Sequence, residues 1–146
     1  MLSLLFSMIS GYFLTNQVYL KKNVESQQTL SLMTRVLYHM EETEGYVPGE
    51  TRVAFIGNLE KSEILFRKQG YEPLAGRTMD YETSLLIYNN YRMYLYNILG
   101  YPINLVEQRE AETIGQRQEV TEMPAFPHPG CTLMLEDTLV VKLSDP

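Results

Sequence analysis

Hydrophobic and polar positions divide this chain into an uncharged start and an alternating remainder. The first twenty residues, MLSLLFSMISGYFLTNQVYL, carry no charged side chain, and Lys21-Lys22 follow at once. Within that run Met1 to Leu14 is apolar apart from Ser3, Ser7, Ser10 and Gly11, small residues that membrane helices tolerate. Thr15-Asn16-Gln17 then break it. Fourteen residues are too few for a bilayer core, which takes about 20. A signal peptide would open on positive charge and close on a small-residue cleavage site, and neither is present. Tyr12 and Tyr19 with the lysine pair resemble the interfacial belt at the end of a span. Beside a signal peptide, two readings stay open. Met1 to about Thr15 is the end of a transmembrane helix whose beginning lies outside this chain, or it is a helix buried in a soluble core.

From Gln17 to Glu44 no Gly or Pro intervenes, and Leu30, Met33, Val36, Leu37 and Met40 recur at helical spacing. Gly45 is a C-cap, and Val47-Pro48-Gly49-Glu50 is a turn. Arg52 to Ile56 is a short apolar run closed by Gly57, which predicts a buried strand. Glu60 to Gln69 predicts a short helix, and Glu72 to Met79 a loop. Asp80 is an N-cap for a longer helix, Tyr81 to Leu99, ended by Gly100 and Pro102. Ile103 to Val106 predicts a second strand and Gln108 to Arg117 a polar helix. Met123 to Gly130, with three prolines, is a rigid loop. Cys131 to Leu135 and Thr138 to Leu143 are strands joined tightly by Glu136-Asp137. The expected class is α/β: a small central sheet of about four strands with packed helices and a C-terminal β-hairpin, preceded by a truncated transmembrane or hydrophobic helix. Residues 16–146 form one domain.

Composition narrows the function. A length of 146 residues suits one domain, and 45% hydrophobic with 21% charged residues is ordinary for a folded chain. A net charge of −6 excludes a broad nucleic-acid surface, which needs a basic patch against phosphate. Cys131 is the single cysteine, so no internal disulfide forms.

Candidate chemistry is sparse. Gly57 follows a strand where a phosphate can sit at a helix N-terminus, but the dinucleotide fingerprint needs three glycines; a plain turn is the competing reading. His39 and Glu42 lack a third metal ligand. His128 and Cys131 can form a nucleophilic pair only with an orienting partner that the sequence does not supply. The acidic run Glu41-Glu42-Thr43-Glu44 is a solvated helix end or a cation site. The richest stretch is NNYRMYLYNILGY, Asn89 to Tyr101. Aromatic faces beside a guanidinium and two amides suit a sugar and its phosphate. The competing reading is a core helix. Tyr88, Tyr91 and Arg92 are the candidate glycan or phosphate contacts, wherever they face outward. No catalytic residue, metal ligand or cofactor is predicted.

NQVYLKKNVESQQTLSLMTRVLYHMEETEGYVPGETRVAFIGNLEKS, Asn16 to Ser62, resembles the C-terminal region of bacterial membrane glucosyltransferases of the Gtr type II family. MPAFPHPGCTLMLEDTLVVKLS, Met123 to Ser144, is similar to their closing proline loop and hairpin. The resemblance implies a membrane protein that moves a glucosyl group from a lipid-phosphate carrier to a cell-surface polysaccharide. It implies that Met1 to about Thr15 ends the last span and that the domain lies on the extracytoplasmic side of a bacterial cell membrane. Catalytic acids would lie in loops between earlier spans, so this chain is expected to be an accessory, non-catalytic part. The expected partners are the membrane, through the N-terminal segment, and a glycan acceptor or lipid-linked sugar, with no nucleic acid. A non-catalytic binding or assembly module and a freestanding soluble α/β protein are the alternatives.

Overall fold

The computed structural model describes residues 2–57 and 88–145. Helix α1 runs unbroken over Leu2–Glu41, so the uncharged start and the amphipathic stretch after it are one rod, about 60 Å long at 1.5 Å per residue. Among the described residues no helix is long and apolar enough to cross a membrane. α1 has the length, but its apolar run stops at Thr15-Asn16-Gln17.

Among the described side chains of α1, the buried ones all lie in its second half. Thr29, Leu32, Met33, Val36 and Met40 are buried, with Leu37 at their margin. The expected face included Leu30, which is 41% exposed. At 100° per residue the buried stripe is centred between Thr29 and Val36, and Leu30 lies roughly a third of a turn off it. A threonine at the centre of the stripe, Thr29, hid its true position.

After α1, Gly45 (φ 87°) and Gly49 (φ 78°) turn the chain. Strand β1, Arg52–Ile56, follows with the predicted bounds. The predicted helix Glu60–Gln69, the loop Glu72–Met79, the Asp80 cap and the start of the tyrosine helix lie outside the described residues. Helix α2, Tyr88–Met93, passes into a π-helical turn at Tyr94–Ile98, where Leu99 N–H donates to the Tyr94 carbonyl across 3.3 Å. The expected terminator holds: Gly100 takes φ 64°, and Tyr101 N–H closes back onto the Leu95 carbonyl at 2.9 Å. Strand β2 is shorter than expected, Asn104–Leu105. The polar helix expected at Gln108 to Arg117 is α3, Gln108–Gly115, and a further short helix that was not expected, α4, Gln118–Glu122, follows it, with Arg117 extended between them. Strands β3, Thr132–Leu135, and β4, Thr138–Lys142, form the predicted hairpin around Glu136-Asp137.

The sheet order is β2-β1-β4-β3. β1 lies between β2 and β4 and is parallel to both, while β3 closes antiparallel on β4. The connection leaving β1 moves to one side, toward β2, and the connection leaving β2 returns past β1 toward the hairpin. Helices pack on both faces of the sheet, and the core divides accordingly. On one face Val53, Phe55, Leu139 and Val141 meet α1 and Tyr91, Tyr94 and Leu95 of the tyrosine helix. On the other, Ala54, Ile56 and Val140 meet Ala111 and Ile114 of α3, Val120 of α4, and Met123. The class is α/β: a four-stranded mixed sheet between helical layers.

Candidate functional site

The tyrosine helix divides its expected contacts. Tyr91 is buried, its ring 4.7 Å from that of Phe55 between centroids. It builds the core and offers no face to a sugar, which corrects its place among the candidate contacts. Arg92 is exposed. The helical backbone at Tyr88 is described, its side chain is not. Tyr94 and Leu95 are buried too, whereas Met93, Tyr96 and Ile98 point outward. Regular α-helical spacing would set Ile98 beside Tyr91 and Tyr94; the extra residue in the π turn shifts the register and leaves it outside. Because Arg92 is exposed, Arg92→Ala should change unfolding free energy by no more than about 0.5 kcal/mol. Chemical denaturation checks it, and a loss several times larger would place the guanidinium in an ion pair that holds the fold.

The other sequence candidates resolve into structure. Gly57 takes φ 80°, and a Cβ there would lie 2.4 Å from the Ser144 carbonyl oxygen. The glycine serves a close crossing of two backbones. Cys131 is fully buried, and that burial pushes its thiol up from the ordinary value, away from the nucleophilic thiolate. His128 is exposed, and its Nδ1 accepts from the Gly130 N–H at 3.2 Å within its own loop. His39 sits edge-on to Phe126, and Glu42 accepts from the Tyr38 hydroxyl instead of joining it. Glu41, Glu42 and Glu44 are exposed. Among the described residues no group of three or more His, Cys, Asp or Glu is placed to hold a metal.

Two arrangements escape sequence reasoning. The first is Lys142, at the end of β4 and only 2% exposed. Its ammonium donates to the carbonyls of Thr121 (3.0 Å) and Met123 (2.9 Å) and pairs with Asp145 Oδ1 at 2.8 Å. All three donors are used, and two of them satisfy carbonyls that the end of α4 leaves open. In the sequence Lys142 reads as the wet end of a strand.

The second is a cleft of about 160 Å³ where β1 begins. Pairing of Arg52 with Thr138 sets the start of β1 beside the hairpin turn, and α3 packs over both. Arg52 Nη2 bonds Glu110 Oε1 at 2.5 Å, and its Nη1 lies 3.9 Å from Asp137 Oδ2. Across the opening Arg117 Nη1 pairs with Glu136 Oε1 at 3.2 Å. Thr113, Ile114, Leu135 and Thr138 complete the walls. Glu136 adopts φ 56°, left-handed backbone that a non-glycine residue seldom takes. Residues so far apart in sequence carry no spacing signal; only the parallel register of β1 against β4 assembles them.

No protein-family model, curated protein or solved structure matches the chain. Two surfaces stand out among the described residues: the uncovered start of α1 and the cleft.

Proposed function

We propose that this chain is the membrane-proximal accessory domain of a bacterial membrane glucosyltransferase. The start of α1 sits in lipid at the end of a span. The α/β part stands on the extracytoplasmic side, where it contacts the glycan acceptor or the lipid-linked sugar, and transfer itself is performed elsewhere in such a protein. The likeness of Asn16 to Ser62 and Met123 to Ser144 to the Gtr type II family supports the enzyme class.

The observation that carries the membrane placement is the exposure of α1. Phe6 is 73% exposed and Tyr12 70%, and Met8, Ile9, Phe13 and Leu14 are open as well. At 100° per residue these side chains spread over roughly two thirds of the helix circumference. A helix apolar around most of its girth suits lipid or a surrounding bundle, whereas a single partner helix covers one stripe. The reading of this segment as core lacks the packing it requires, since residues 6–17 are all exposed.

Vesicle flotation tests the placement. The full chain should float with phospholipid vesicles, and a variant lacking residues 1–15 should stay in solution with an almost unchanged melting transition. Large apolar side chains contribute about 1.5–3 kcal/mol each when buried. If the segment were core, its removal would collapse the transition, and that result would sink the membrane reading.

A further inference from the structure

We propose that the cleft between the start of β1, α3 and the β3–β4 turn binds one sugar ring of an uncharged glycan. The inference deepens the accessory reading by giving it a ligand site, and it rests on that reading for the choice of glucose as the sugar.

Charge selects the ligand class. Two guanidiniums, Arg52 and Arg117, face three carboxylates, Glu110, Glu136 and Asp137. Each guanidinium is already engaged by a carboxylate, so the cleft has no surplus positive charge for a phosphate. The arginines stand among the acids, so it is equally poor for a divalent cation. Hydroxyl groups suit it. A guanidinium carries five N–H donors and a carboxylate about four acceptor positions, so each pair keeps unused capacity for a neutral ligand that both donates and accepts. Vicinal hydroxyls on a sugar do both, and Ile114 and Leu135 give apolar wall for the C–H face of the ring. At about 160 Å³ the cleft is below the 300 Å³ or so at which sites for drug-sized ligands begin, which fits a single ring.

The backbone supplies a second observation. Glu136 holds φ 56° at the tip of a two-residue hairpin turn, where glycine or asparagine is easier to accommodate. Its carboxylate reaches Arg117 across the cleft. That ion pair is largely solvent-exposed, and such pairs do little for folding. A side chain kept at a conformational cost, for an interaction the fold hardly needs, marks a binding group.

The test uses the full chain, isotope-labelled, in a zwitterionic detergent without sugar headgroups. Amide resonances are followed during titration with methyl α-glucoside and methyl β-glucoside, with inorganic phosphate and calcium as separate arms. Saturable, millimolar shifts at Arg52, Thr113, Arg117, Asp137 and Thr138 are expected with a glucoside, and none with phosphate or calcium. Glu136→Gly should weaken glucoside binding at least about tenfold, while its melting temperature stays level or rises because the turn is relieved. No shift with either glucoside, or shifts with phosphate or calcium alone, overturns the proposal. Unchanged glucoside affinity in Glu136→Gly does so as well. The membrane placement is read separately by flotation, so a failure here leaves that result standing and the two ideas fall independently.

Discussion

Lys142→Ala will cost about 3–5 kcal/mol of unfolding free energy. The substitution removes a buried side-chain stem, a change that costs about 2–5 kcal/mol for residues of similar bulk, and it takes charged donors from two carbonyls. Lys142→Met separates the contributions. It keeps most of the stem and loses only the ammonium, so the expected loss is about 1.5–3 kcal/mol. Asp145 is 84% exposed, so Asp145→Asn should fall within the range of about 0–1 kcal/mol typical of surface pairs. Urea midpoints at constant slope give all three values. The clamp between β4 and α4 is refuted if Lys142→Met matches the wild type, for then the carbonyls of Thr121 and Met123 do not depend on it.

Gly57→Ala should cost about 3 kcal/mol or more. Left-handed backbone alone adds about 1–2 kcal/mol for a residue with a Cβ. The new Cβ would also sit 2.4 Å from the Ser144 carbonyl oxygen and 2.7 Å from its nitrogen. Relief requires the end of β1 to move away from the segment after β4, which threatens the 2.7 Å bond from Leu143 N–H to the Ile56 carbonyl. Gly45→Ala is the internal control. Gly45 has φ 87° and nothing within 4 Å of its Cβ position, so it registers the backbone penalty alone. Equal losses at the two positions would mean that the strand ends are not locked together. A Gly57 loss at least about 1 kcal/mol larger is the expected outcome.

Sequence and structure agree where the signal is local. Arg52–Ile56 is legible because a short apolar run stops at a glycine, and the hairpin because Glu136-Asp137 separates two apolar strands. Gly100 ends the tyrosine helix as read, since its left-handed backbone admits the closing bond from Tyr101. The errors follow from non-local packing. Leu30 was placed on the core face because five apolar residues share helical spacing, while the sheet chose a stripe with Thr29 in it. Tyr91 lies in a tyrosine-rich stretch that reads either as a contact surface or as core, and its packing on Phe55 makes it core. The cleft is invisible because it joins elements through the register of β1 on β4, and the Lys142 clamp because it joins β4 to the carbonyls at the end of α4; no spacing along the chain encodes either.

That register also governs when the fold can form during synthesis. β1 is made well before its longest partner among the described strands, β4, with Arg52 matched to Thr138 and Ile56 to Lys142. β2 offers it only two paired residues in the interval. An apolar segment, Val53 to Ile56, is therefore made long before the strand that shields it, and pairing over such separations is slow because the loop must close before any contact rewards it. Until residue 142 has emerged, the nascent chain carries a hydrophobic strand with an open edge, the kind of intermediate that chaperones hold. In the finished sheet β4 lies between β1 and β3, and its side chains complete both sides of the core at once.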